Sequence, residues 1–163
     1  MFSLFLRNIF LTIVHPGLVA GLFPFWILGD KTYEEIAEPF EFHKYIAIVI
    51  FLIGLTILLS CIIRFAVEGR GTLSPADPTR RLVIKGLYKY SRNPMYVGVI
   101  LILTGEIIFF SSSNLLLYTV FVFICFNLFV IFVEEPPLNR DFASEYLNYC
   151  KQVRRWVWYF ERH

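Results

Sequence analysis

The chain has 163 residues, 57% of them hydrophobic and 18% aromatic, with a mean hydropathy of +0.62. That is too apolar for an ordinary soluble domain, and the length leaves room for one domain and no second. Formal net charge is only +2, and the Lys and Arg residues flank apolar runs instead of forming a patch on a soluble face, which excludes a nucleic-acid footprint.

Crossing ~30 Å of hydrocarbon takes about 20 helical residues. Four segments meet that need, at residues 4–28, 43–66, 94–110 and 115–133. The first is long, aromatic and broken by His15-Pro16, without a small-residue cleavage site, so it predicts an uncleaved span and not a signal peptide. The 29–42 connection is acidic, with Glu34, Glu35 and Glu38. Near the end of the second span Arg64 and Glu68 lie one turn apart and are expected to pair. Residues 67–93 are basic, and Gly69-Arg70-Gly71-Thr72-Leu73-Ser74-Pro75 predicts an ordered loop of backbone-permissive residues. Leu82-Val83-Ile84 would dock that loop against the membrane surface.

The third span is the shortest. Glu106 lies inside it, roughly 18 Å along the helix from Pro94, and is expected to hydrogen-bond to a neighbour such as Asn127. Ser111-Ser112-Ser113-Asn114 is long enough only for a tight turn, so spans three and four form an antiparallel hairpin. Beyond them Leu138, Phe142, Tyr146, Tyr149 and Val153 recur at the period of one helix face, begun at Pro136-Pro137 where proline costs least. Arg154-Arg155-Trp156-Val157-Trp158-Tyr159 then supplies basic and aromatic interfacial anchors.

Basic residues in 68–93 and in the tail, set against the acidic 29–42 connection, put both termini on the cytoplasmic side. The expected fold is therefore all-α and integral to the membrane, one domain over residues 1–163. It has four spans, a cytoplasmic loop at 67–93 and a tail at 134–163 whose amphipathic helix helps to form a site. Short outer connections and the lack of processing signals point to a bacterial inner membrane. Cys61, Cys125 and Cys150 are spaced for neither a disulfide framework nor a metal cluster, and His15, His43 and His163 are too scattered to bind a metal.

The residues with chemistry sit at the ends of the hairpin. Arg92-Asn93-Pro94-Met95-Tyr96-Val97-Gly98 opens span three, and Glu134-Glu135-Pro136 closes span four. If the hairpin forms, these groups meet at one level of the membrane. Arg92 is a permanent cation with a fork suited to a carboxylate or phosphate. Pro94 biases Asn93 toward an extended conformation, and Tyr96 offers a ring face and a hydroxyl. Polar groups are costly in lipid, which favours a functional site. The rival explanation, helix-end charges that snorkel to the interface, accounts for the same residues.

Residues 86–98, Gly86-Leu87-Tyr88-Lys89-Tyr90-Ser91-Arg92-Asn93-Pro94-Met95-Tyr96-Val97-Gly98, resemble the signature of the membrane methyltransferases, which include isoprenylcysteine carboxyl methyltransferases and phospholipid N-methyltransferases. Gly69-Arg70-Gly71 is similar to their glycine-x-glycine element, Glu134-Glu135 to their paired glutamates, and residues 142–156 to their C-terminal block. The resemblance implies S-adenosylmethionine as methyl donor on the cytoplasmic side and a lipid or lipidated acceptor from the bilayer, with no nucleic acid and no metal. It implies Gly69, Gly71, Asn93, Tyr96, Glu134 and Glu135 as cofactor-binding residues, and Arg92 with Glu135 as the catalytic pair. Asn93 stands where the isoprenylcysteine branch usually has histidine, and the acceptor stays open between a carboxylate and an amine. The alternative from another class is a non-catalytic scaffold or accessory subunit that keeps the fold.

Overall fold

A computed structural model describes residues 15–68, 82 and 84–156, and these are helical with short connections. The elements are α1 (His15–Leu28), α2 (Lys31–Ala37), α3 (Phe42–Glu68), a 3₁₀ turn (Gly86–Lys89), α4 (Pro94–Phe110), α5 (Ser113–Phe129) and α6 (Glu135–Gln152). Two helical runs, Phe42–Arg64 and Ser113–Gln152, are long and apolar enough to cross a membrane; α1 and α4 are shorter apolar helices. Only 28% and 17% of the most apolar stretches of the two long runs are buried. A soluble core helix would bury most of such a surface. Leu52, Ile63, Leu117, Phe121 and Phe132, for example, all face outward.

Three glycines set how α3 and α4 meet. A Cβ at Gly54 would lie 2.7 Å from the Gly98 carbonyl oxygen, one at Gly98 would lie 3.0 Å from the Gly54 oxygen, and one at Gly105 would lie 2.9 Å from the Ala47 oxygen. The two backbones therefore touch along an antiparallel seam that no larger residue admits. Leu58, Val99, Ile102, Leu103 and Val122 form the core beside it, joining α3, α4 and α5.

The hairpin turn is as expected. Ser111 takes a left-handed conformation (φ 44°), and the Ser112 side chain accepts from the Leu115 N–H to cap α5. Two features differ from the sequence reading. The acidic connection contains a helix, α2, held by the buried Lys44, which donates to the Glu35 carbonyl at 2.7 Å, pairs with its carboxylate at 3.3 Å and sits over the Phe109 ring. And the tail helix is not separate from span four. A π-helical turn at Val130–Glu134 joins α5 directly to α6. Pro136 and Pro137 cannot donate to the carbonyls four residues before them, so the ladder is reset there instead of stopping. Within α6 the chain bends at Ala143 (φ 30°, ψ −105°).

The predicted tail face is observed: Tyr146, Tyr149 and Val153 are buried with Leu138 and Phe142 packed around them. Leu82 and Ile84 join that cluster, so this end of the loop packs on the tail helix. Gly86 takes a left-handed conformation (φ 63°), which favours glycine, and it packs beside the Arg64 guanidinium. The first part of span one (residues 4–14), residues 69–81 with Gly69 and Gly71, and the Arg64–Glu68 pair through the Glu68 side chain lie outside the described residues.

Candidate active site

The site is assembled from three directions. Asn93, before the proline that opens α4, stays out of the helical region (φ −128°, ψ 56°), the restriction expected ahead of proline. This ends the 91–93 backbone as an irregular rung at the base of the helix. From the other side of the hairpin the π-turn delivers two adjacent carboxylates. Successive helical residues point about 100° apart, so Glu134 and Glu135 reach different partners. The third piece was not foreseen. After Gln152 the chain leaves the helix, with Val153 extended (φ −124°, ψ 127°), and residues 153–156 run back as a strap across 91–93.

The strap is fixed by complementary bonds. The Arg92 N–H donates to the Arg154 carbonyl at 3.0 Å. The fully buried Ser91 hydroxyl donates to the Arg155 carbonyl at 3.1 Å and accepts from the Asn93 N–H at 3.2 Å. The Asn93 amide also donates to the Arg155 carbonyl, at 3.3 Å. The Trp156 indole N–H reaches the Asn127 side-chain oxygen at 3.2 Å. Asn127 thus serves the strap and not Glu106, whose Oε2 is buried without a hydrogen-bond partner. That expected pairing is corrected: Asn127 is at the level of Tyr96, whereas Glu106 is some three turns further along α4.

Glu135 is the hub. Its carboxylate takes two bonds of 2.9 Å from Arg155, through Nε and Nη2, and one of 3.3 Å from Arg92 Nη1. The three side chains are 17%, 28% and 14% exposed, so this is a largely desolvated cluster. Arg92 Nη1 also approaches the Tyr146 hydroxyl at 3.3 Å and Cys150 Sγ at 2.7 Å. Glu134 has a different environment. It accepts from the Tyr96 hydroxyl, and the Tyr96 ring packs on Phe126 (4.5 Å between centroids) and Trp156 (6.3 Å), with Phe123 on the far side of the indole. Glu134 therefore sits at an aromatic wall, and Glu135 sits among guanidinium groups.

Below the strap the Tyr149 hydroxyl donates to the Tyr88 carbonyl, tying α6 to the 3₁₀ turn. Burial pushes the hydroxyls of Tyr88 and Tyr149 above the ordinary tyrosine range, so both stay protonated and Tyr149 remains a donor.

Of the residues expected at the site, Arg92, Asn93, Tyr96, Glu134 and Glu135 come together; Gly69 and Gly71 lie outside the described residues. Ser91, Cys150, Arg155 and Trp156 were missed as members. The last two were legible only as interfacial anchors, and the sole signal for them was the resemblance of the 142–156 block, which assigns them no role. Among the described residues no group of His, Cys, Asp and Glu could hold a metal ion.

A family model described as phospholipid methyltransferase matches residues 42–145, more than half of the chain, from the start of α3 into α6. No curated protein and no solved structure matches.

Proposed function

The chain belongs to the phospholipid methyltransferase family, and from that premise we propose that it transfers a methyl group from S-adenosylmethionine to a lipid acceptor at the cytoplasmic membrane face. The observation that carries this reading is the pairing of Glu134 with Tyr96 inside an aromatic wall. A carboxylate beside ring faces suits a compact organic cation such as a sulfonium or an ammonium. The donor set thus fits the cofactor, with Glu134, Tyr96 and Asn93 on its side and Gly69 and Gly71 as the proposed loop contacts. When bound, S-adenosylmethionine supplies an electrophilic methyl whose displacement needs alignment and exclusion of water rather than a protein nucleophile.

The chain's own residues supply those needs. The strap and Trp156 cover the cluster and keep water out. Tyr96 holds Glu134 in one orientation through its hydroxyl. Of the proposed catalytic pair, Arg92 meets the acceptor, and Glu135 fixes Arg92 by accepting from it. An amine acceptor sheds one proton as it is methylated, and Glu134 is the nearby carboxylate able to take it; a carboxylate acceptor needs no base. The membrane arrangement that accompanies this reading has four spans, both termini cytoplasmic, and an acceptor that arrives laterally from the bilayer.

The test is equilibrium binding of S-adenosylmethionine, which carries the sulfonium charge, to the detergent-purified protein and to Glu134→Gln. Saturable binding by the wild type, weakened in the variant, is the expected result. No binding by a protein with an intact thermal transition would sink the reading and favour a non-catalytic accessory protein.

A further inference from the structure

One polar atom in the hub is unaccounted for. Arg92 Nε is buried and has no hydrogen-bond partner, although the same guanidinium meets three groups through Nη1. A guanidinium N–H left unpaired in a desolvated place costs free energy, so such donors are normally satisfied by protein, water or ligand. The charge balance points the same way. Among the described residues, Glu135 carries one negative charge against two guanidiniums, Arg92 and Arg155, which leaves one positive charge in excess in this cluster. The next carboxylate in the chain, Glu134, does not offset it, because it is turned to Tyr96.

We propose that Arg92 and Arg155, bridged by Glu135, form an anion subsite that takes the phosphodiester of the acceptor lipid, with the unpaired Arg92 Nε as one of its donors. This rests on the methyltransferase reading above and adds which end of the acceptor goes where. Guanidinium forks match phosphate oxygens better than any other side chain. An excess cation beside a carboxylate in an aromatic wall is the complement of a zwitterionic head group: phosphate on the arginines, amine toward Glu134. Glu135 is then a positioning residue. It holds the two forks in register and is itself fully engaged by them. Arg155 enters the site only because the strap returns across 91–93, so Ser91, through its bond to the Arg155 carbonyl, sets the height of the second fork.

The test compares binding of two short-chain probes to the full detergent-purified protein: a dihexanoyl phosphatidylethanolamine and the matching dihexanoylglycerol, which lacks the phosphate. Inorganic phosphate is titrated separately, and S-adenosylhomocysteine binding is measured on the same preparations. The phospholipid should bind at least about tenfold more tightly than the diacylglycerol. Arg92→Lys and Arg155→Lys keep the charge but lose the fork, and each should remove most of that preference while S-adenosylhomocysteine still binds. Retained S-adenosylhomocysteine binding also reports that the variants are folded. Equal binding of the two lipids overturns the subsite. So does inorganic phosphate binding as tightly as the phospholipid, which would make the site one for free phosphate. If the lysine variants lose S-adenosylhomocysteine and keep the lipid preference, the guanidiniums serve the donor's carboxylate and the proposal falls. Failure of the wild type to bind S-adenosylhomocysteine strikes the methyltransferase reading alone, and is told apart by the lipid comparison.

Discussion

Arg155 grips Glu135 with two hydrogen bonds of 2.9 Å across twenty residues of chain, and Arg92 approaches the same carboxylate from the base of α4 at 3.3 Å. A single carboxylate therefore joins the tail, the strap and the hairpin. Glu135→Gln keeps the shape but removes the charge, leaving two guanidiniums facing each other. Between the limits for exposed and buried pairs, the loss in stability should be about 2 kcal/mol. Thermal unfolding in detergent should show the drop, and methyl transfer should fall to background. Wild-type stability in this variant would mean that the pairing contributes nothing.

Tyr96→Phe separates the phenol's roles. The ring contacts with Phe126 and Trp156 survive, while Glu134 loses its donor. S-adenosylmethionine affinity should fall because Glu134 loses its fixed orientation, and the melting temperature should drop with the lost bond, since a hydrogen bond to a charged group contributes about 1.5–3 kcal/mol. Calorimetric titration reads the first and a thermal melt the second.

Much of this architecture was legible in the sequence because it follows from patterns of short period. The limits of α3 and α4, the serine turn and the apolar face of α6 all come from apolar runs or recurrences within a few residues. The level at which Arg92 meets the glutamates follows from the hairpin alone. Three things did not follow. Helix α2 has seven residues and weak local signals, and no local pattern marks Lys44 as its anchor. The π-turn is invisible in composition, since Pro136-Pro137 marks a helix start equally well after a loop or after another helix. The strap depends on contacts between residues more than 60 positions apart, such as Ser91 with Arg155, and no periodicity records these.

Asn127→Leu probes the strap directly. Trp156 loses its side-chain acceptor on α5, a loss of about 1 kcal/mol. The Arg92 amide, which bonds to the Arg154 carbonyl, should then exchange its hydrogen about fivefold faster. Unchanged protection would show that Ser91 and Asn93 hold the strap without the indole.

The glycine seam makes a paired prediction. Gly54→Ala forces a Cβ to 2.7 Å from one backbone atom and 2.8 Å from another, and neither can move aside; overpacking of this kind costs about 1–3 kcal/mol. Gly21→Ala meets nothing within 4 Å, and should be neutral or stabilising by up to about 1 kcal/mol. Folded yield and melting temperature of the two variants, compared side by side, check both.

Alkaline pH should loosen the tail. Burial raises the Tyr88 and Tyr149 hydroxyls above their ordinary value near 10. Above that value the unfolded chain gives up protons that the folded one retains, so stability is intact below about pH 10 and falls as pH rises beyond it. Melting temperature followed upward from pH 9 should decline, and Tyr149→Phe should make the decline shallower. A slope unaltered by that substitution would assign the effect elsewhere.

The backbone contact between α3 and α4 has a mechanical consequence. Two helices that touch through Gly54, Gly98 and Gly105 cannot slide or roll without steric collision, so Arg92, Asn93 and Tyr96 ride on a fixed jaw. The glutamates ride on the other jaw, at the end of a π-turn, a helix irregularity frequent at functional sites. The Tyr96 hydroxyl bonded to Glu134 and the ion pair of Arg92 with Glu135 close the two jaws on each other, so the spacing of the whole cluster is referred to the seam between α3 and α4.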